Sequence, residues 1–334
     1  MIKVRPWLQT FVMPRYVAPD NDHLSRGFQD IVPAEYRGTD RFLDVISWNI
    51  RWFNNGNDER VKKVEAVLNA LNADIIVLEE IEQGSLDKVA EGLKNEGAGD
   101  YKVAYGTTGG DQRVAFMYDL EWIRAKDDIA ELFGKRTVLT ASGKDAFPRL
   151  PLQGYFTSLS QESDPFDFQL VGLHLKSQRS SGNDQDAGKA QRLMAAERLK
   201  TWLVREASVV DADVVMLGDW NEPPDAEAWD PFRQLEQDGL VKFSSINDND
   251  SISHLMYKNR DNIGSRLDMA QVSISAASQL TGPTEIVRWK SLDALLRSGP
   301  TASKIKKYIK EISNELSDHM PLVVRFYFLE QRPA

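Results

Sequence analysis

The sequence predicts a mixed α/β (α+β) fold: two mainly antiparallel β-sheets packed face to face, with helices outside. Two blocks of the chain each run strand, helix, strand and then meander. Many strands follow one another directly across turn residues, which favours a two-sheet sandwich over a parallel doubly wound sheet. The helical stretches place their apolar residues at helical spacing on one side, so each has a face to bury. No linker or short repeat divides the chain. Residues 1–40, Pro-rich and aromatic-rich without a period, read as an irregular arm, and residues 41–330 read as a single domain.

In chain order, Phe42–Ile50 (FLDVISWNI) is strand-like and carries Asn49 at its end, with Arg51 two residues on. Glu59–Leu71 places Val61, Val64, Val67, Leu68 and Leu71 at helical spacing. Asp74–Leu78 (DIIVL) is a short buried strand closed by Glu79 and Glu80, and Leu86–Leu93 is a second helix. A β-rich passage follows: Tyr101–Tyr105, Arg113–Tyr118, Ile129–Leu132, Gly154–Leu159 and Phe166–Leu175, with Gly109-Gly110-Asp111 and Asp164-Pro165 among the turns. Ala187–Val204 has strong helical spacing. Val214–Leu217 is a continuous apolar run, the pattern of a strand buried on both faces. A helix at Pro231–Gln237, strands around Arg266–Ser273 and Leu322–Phe328, and helical stretches at Leu292–Arg297 and Lys304–Ile312 complete the chain.

With 334 residues, 42% hydrophobic and 27% charged, the composition is that of a soluble globular protein. No window approaches a transmembrane run. Pro6, Gln9 and Pro14 break the N-terminal apolar stretch, making it a poor signal peptide. The chain has no cysteine, which removes disulfides and thiolate metal sites and fits a cytoplasmic location, with a secreted one the alternative. A net charge of −9 argues against a generic polyanion-binding surface, although carboxylates gathered around a divalent cation remain compatible with acting on phosphoesters.

The chemistry gathers at the strand ends. Val214–Asp225 (VVMLGDWNEPPD) ends its apolar run in Gly218, then Asp219-Trp220-Asn221. On an extended chain Asp219 and Asn221 share a side and Trp220 faces the other way. This pair suits orienting a water or gripping a phosphate oxygen; the alternative is an Asx-turn in which Asp219 caps backbone amides. Other strand ends carry Asn49, Glu80, His174 and Asp268, while Ser317-Asp318-His319 precedes the strand PLVVRF. One such polar end is ordinary, whereas six converging make a site. His23 reads as an exposed arm residue and His254 as a loop residue, with an approach to the substrate the alternative; His174 could also be a satisfied core histidine. The Lys304–Lys310 helix is in general a solvated face, and the eight tryptophans are mostly core.

The motifs SWNI, VLEE, GLHLKS, GDWN, SRLD and SDHMP, in that order from Ser47 to Pro321, resemble the endonuclease/exonuclease/phosphatase superfamily, the deoxyribonuclease I and exonuclease III type of metal-dependent phosphoesterase. The resemblance implies a four-layered α/β sandwich with the site at one end of the two sheets. It implies divalent-metal ligands at Glu80, Asn49, Asp318 and Asp268, with Glu79 standing where the family usually has Gln. Asp219 and Asn221 would orient the attacking water and the phosphate. Asp318 would ligate metal or orient a histidine, and His319 would act as general base or stabilise phosphate. His174 would contact phosphate or protonate the leaving group, and Arg149 would be a phosphate contact alongside Asn49 and Asn221.

All-oxygen ligands suit Mg²⁺ or Mn²⁺ over zinc, with Ca²⁺ an optional structural ion. The resemblance therefore implies a nuclease, with DNA favoured over RNA as substrate, no membrane insertion, no obligate protein partner and a monomer. GSRLD lacks the inositol-phosphatase signature. A phosphoesterase acting on a small-molecule or lipid phosphoester is the alternative, followed by a non-catalytic nucleic-acid-binding module.

Overall fold

A computed structural model describes residues 31–39, 41–134, 138–159, 164–178, 185–243, 252–259 and 262–330. Most of the expected irregular arm lies outside the described residues. The chain enters its first sheet through β1 (Leu43–Phe53), whose residues Leu43–Ile50 are all buried. The amphipathic spacing after it folds as α1 (Asp58–Leu71), where the Asn57 side chain caps the first turn by accepting the Arg60 N–H. This helix crosses to β2 (Ile75–Ile81), and α2 (Asp87–Asn95) packs beside α1 before the hairpin of β3 (Tyr101–Tyr105) and β4 (Arg113–Asp119).

The second sheet begins with the short strands β5 (Ile123–Ala125) and β6 (Ala130–Glu131), then β7 (Leu152–Ser158) and β8 (Asp167–His174). Helix α3 (Gln185–Trp202), a π-turn and α4 (Ser208–Val210) lead to β9 (Val214–Asp219). After α5 (Asp230–Gln237) come β10 (Val241–Phe243), the hairpin β11 (His254–Asn259) and β12 (Asn262–Ser265), then β13 (Asp268–Ser273) and α6 (Ile274–Ala277). The chain returns to the first sheet through β14 (Glu285–Ile286), α7 (Lys290–Arg297), α8 (Ala302–Glu315) and β15 (Leu322–Phe326).

The first sheet has the order β14-β15-β1-β2-β4-β3 and the second β10-β13-β9-β8-β7-β5, with β6 paired to β7. Both are mainly antiparallel, yet each holds one parallel pair at its centre, β1 with β2 and β8 with β9. The cause is the connection: α1 and α3 carry the chain back over the sheet, and a helical crossover returns a strand in the same direction.

One apolar core lies between the sheets and beneath α1 and α2; a second lies between the second sheet and α3 and α5. The result is the expected helix–sheet–sheet–helix layering. Gly172 marks the close approach of the sheets, since a Cβ there would stand 2.7 Å from side-chain atoms of Phe116 and Val77.

The structure adds elements that sequence spacing did not announce: β5, β10, β14, α6 and the β11–β12 hairpin. Their apolar periods are too short to register. Expected strand Ile129–Leu132 shrinks to the two residues of β6. The Lys304–Lys310 lysines are exposed, with Ile305 and Ile312 buried on the opposite face of α8.

Candidate active site

The two parallel pairs end side by side, and the polar residues gather there. The first sheet contributes Asn49 from β1, Glu80 from β2, and Asp318 and His319 just before β15; the second contributes His174 from β8, Asp219 and Asn221 at the end of β9, and Asp268 at the start of β13. Parallel register aligns His174 with Asp219, and antiparallel register aligns Asp268 with Asp219. Three residues distant in sequence thus lie in one row.

Gly218 allows the chain to turn Asp219 inward. Its φ is +147°, and a Cβ would stand 2.0 Å from the Leu173 carbonyl oxygen. Beyond it Trp220 points away from the site into the second core, its rings set edge-on to Trp229 at 5.2 Å and to Phe232 at 5.3 Å, with Nε1 donating to the Met269 carbonyl. Asn221 has φ +60°. Its backbone N–H donates to Asp219 Oδ1 at 2.8 Å and its side-chain amide to the Leu175 carbonyl at 3.0 Å. The Asx-turn and the site geometry are therefore the same structure, because the turn leaves Oδ2 of Asp219 to face the site.

Around Asp219 Oδ2 lie the Asn49 amide at 3.1 Å, His174 Nε2 at 3.8 Å and His319 Nε2 at 3.8 Å. His319 Nδ1 is 2.9 Å from Asp268 Oδ2, so Asp268 orients this histidine. Asp318 does not: its Oδ2 lies 3.5 Å from Arg51 Nε and 4.0 Å from His254 Nε2. Ser253 Oγ receives the N–H groups of Leu267 and Asp268, and Ser317 Oγ donates to the Asn49 carbonyl at 2.6 Å while receiving the His319 N–H.

Burial and charge set the protonation states. Burial pushes Asp219 up to about 7, with His319 opposing the shift and Asp268 adding to it. Burial alone would lower His319, but Asp268, Asp219 and Asp318 outweigh it and hold the ring well above the usual histidine range. His174 moves the other way: burial first, then Arg149 and His319, keep it neutral, and its Nδ1 is buried without a hydrogen-bond partner. Glu79 is fully buried and held well above the usual carboxylate range by burial and by Asp268, with Ser47 Oγ donating to it at 2.8 Å. Glu80 is the member of the doublet that faces the site, receiving the Asn49 amide at 3.3 Å and the Trp52 N–H at 3.1 Å.

Two expected roles change. Asn49 Oδ1 accepts the Arg51 N–H at 2.9 Å, which turns its amide hydrogens, rather than a ligating oxygen, toward Asp219 and Glu80. Arg149 was expected at the phosphate. It is buried instead, donating from Nε to the His174 carbonyl at 3.0 Å, from Nη2 to the Leu175 carbonyl at 2.7 Å and from Nη1 to Gln112. It braces the end of β8.

Sequence reasoning placed His254 in a loop. It lies on β11, bridged to His319, with ring centroids 4.6 Å apart. Backbone strain is a further signal that composition could not give: four of the six non-glycine residues with positive φ among those described, Arg51, Trp52, Glu80 and Asn221, surround the site.

A family model described as Endonuclease/Exonuclease/phosphatase family matches residues 46–240. Among solved structures, an endonuclease/exonuclease/phosphatase from Bacteroides vulgatus is similar at 14% identity and a TM-score of 0.55, covering 86% of this chain and 99% of its own. A family protein from Leptotrichia buccalis aligns at 15% identity and TM-score 0.54, covering 86% of this chain and 100% of its own. Truncated Caenorhabditis elegans TDP2 aligns at 16% identity and TM-score 0.51, covering 86% and 97%. At these identities the likenesses establish the fold. No curated protein matches the chain.

Proposed function

Because the chain belongs to the endonuclease/exonuclease/phosphatase family, a family of hydrolases that cleave phosphoesters, we propose that it is a divalent-metal-dependent phosphodiesterase acting on nucleic acid, DNA before RNA. The observation that carries this reading is the buried row Asp219–His319–Asp268. It sets a carboxylate that titrates near neutrality against an imidazolium fixed by a second carboxylate.

The donor set fits a hard divalent cation. Glu80 Oε1 and Asp219 Oδ2 each lie 3.8 Å from His174 Nε2, Asp318 offers a further carboxylate beside His254 and His319, and Asp268 Oδ1 is buried without a hydrogen-bond partner. Carboxylates gathered this closely in a low-dielectric site favour a bound positive charge. Glu80 and Asp318 would hold Mg²⁺ or Mn²⁺, both of which prefer oxygen ligands. When bound, the cation supplies neutralisation of the phosphate charge.

The residues of the chain do the rest. Asp219, ionised, accepts a proton from a water whose oxygen attacks phosphorus; the P–O bond to the leaving oxygen breaks with its electron pair passing to that oxygen, which takes a proton from solvent. Asn49, whose amide bridges Glu80 and Asp219, and Asn221, whose backbone N–H holds the other Asp219 oxygen, orient the carboxylate that takes the proton. His319, protonated and aligned by Asp268, donates a hydrogen bond to a phosphate oxygen as negative charge builds there. A neutral His174 serves as a donor to phosphate rather than as the acid for the leaving group.

The test is a substrate panel of duplex, single-stranded, abasic and RNA substrates with small phosphoesters and phospholipid, each in Mg²⁺, Mn²⁺ and chelator. Cleavage of DNA with Mg²⁺ and silence in chelator are expected. Activity confined to a small phosphoester or lipid would replace the nuclease reading with the other substrate class.

A further inference from the structure

Trp52 stands at the edge of the site and takes no part in the reaction described above. It is 57% exposed, while Trp48, Trp220, Trp229 and Trp289 are each under 2% exposed. Its neighbour Phe53 is fully buried. The backbone that displays the indole is strained: Arg51 has φ +44° and Trp52 φ +50°. Left-handed conformations of this kind are strained in non-glycine residues and persist only where the surroundings enforce them.

The enforcement is visible. From α1, Arg60 Nη1 donates to the Trp52 carbonyl at 3.2 Å, and Nη2 reaches the carbonyls of Ile50, Arg51 and Leu316. Asn49 Oδ1 holds the Arg51 N–H, and Glu80 Oε2 holds the Trp52 N–H. The β1–β2 register breaks between Asn49 and Phe53 to accommodate the turn. Two residues that line the reaction centre therefore also fix where the indole stands.

The geometry points to Trp52 as a stacking platform for an unpaired nucleobase flanking the phosphate that His174 and His319 would contact beside Glu80. This inference rests on the nucleic-acid reading given above. Stacking of a base on an aromatic side chain contributes about 1–3 kcal/mol and tolerates any sequence. Within a duplex both faces of a base are covered by its neighbours, so a free face belongs to a single strand, a frayed end or a gap. The formal net charge of −9 strengthens the case. Phosphate contacts through Lys and Arg supply most non-specific binding in basic proteins, and an acidic chain needs an uncharged contact in their place. A rigid indole loses little conformational freedom when a base settles on it.

The experiment measures binding in an Asp219→Asn background with Mg²⁺ present, which removes turnover. Three probes are compared: a single-stranded oligonucleotide, the same strand with its bases replaced by abasic residues, and a blunt duplex. Trp52→Ala is expected to weaken single-strand binding about 5- to 150-fold, as loss of one base stack implies. Trp52→Phe should recover most of that loss, and the abasic strand should bind both proteins alike. In the otherwise native protein, Trp52→Ala should raise KM for single-stranded DNA and leave kcat nearly unchanged. Equal binding of the base-bearing strand with and without Trp52 overturns the platform, as does an equal loss for the abasic strand. If the native protein cleaves DNA while Trp52 has no effect, the platform alone fails. If it cleaves no nucleic acid but hydrolyses phospholipid vesicles, both readings fail together.

Discussion

Asp219 gives up its proton only near pH 7, because burial and Asp268 resist the charge that His319 favours. A base must be ionised to accept a proton, so kcat/KM is expected to climb as pH rises through about 7. The raised His319 sets the opposite limb, well above the ordinary histidine range, where its proton is lost. Measuring kcat/KM from pH 5 to 10 checks both limbs. Asp219→Asn should lower kcat by roughly 10³-fold or more and abolish the rise near pH 7, with the fold intact by circular dichroism. Asp268→Asn should move the high-pH limb downward, since the group that most strongly holds the proton on His319 is gone. The GDWN, SRLD and SDH stretches displayed these residues openly. Their pairing was not legible: His319 takes its orientation from Asp268, 51 positions earlier, and not from adjacent Asp318. Partnerships of that range are made by sheet register, which no local pattern records.

Helices and buried strands were the legible elements, because each carries a long apolar period; the β11–β12 hairpin, with mixed polarity and a short run, was not, and His254 was misplaced with it. At this scale Gly218 is the point of least tolerance. Gly218→Ala would need a Cβ 2.0 Å from the Leu173 carbonyl at a φ of +147°. The expected loss is about 3 kcal/mol, seen as a fall in Tm of roughly 5–10 °C, with activity lost because Asp219 moves. Helices α1 and α2 offer a contrast. Glu65, buried where they pack, is raised to about 7 by burial and then by Glu96. The folded state binds this proton more tightly than the unfolded chain, so stability falls as pH rises from about 4.5 to 7 and is level beyond. Glu65→Gln should therefore stabilise the protein at pH 8, by at most about 3 kcal/mol, and leave it unchanged at pH 4, as denaturant unfolding at the two pH values would show.

Over the whole molecule, the net charge of −9 limits how many phosphates the surface can neutralise. The slope of log affinity for DNA against log salt should be shallower than about −3, corresponding to roughly three phosphate contacts, and a titration in KCl reads it directly. A much steeper slope would mean a basic track that the charge balance does not reveal. The layered architecture was legible from the order of strands and helices, whereas the parallel pairs inside each sheet emerged only from the crossovers. Those pairs divide the site evenly: Asn49, Glu80, Asp318 and His319 stand on one sheet, His174, Asp219, Asn221 and Asp268 on the other. Neither half holds a working set, and β15 closes its sheet only after most of the chain has been made. Catalysis is thus a clock for assembly. During refolding, helical and strand signals should return first, and hydrolysis should resume only when the two sheets dock, which makes turnover a reporter of the last long-range contact rather than of the fold's beginnings.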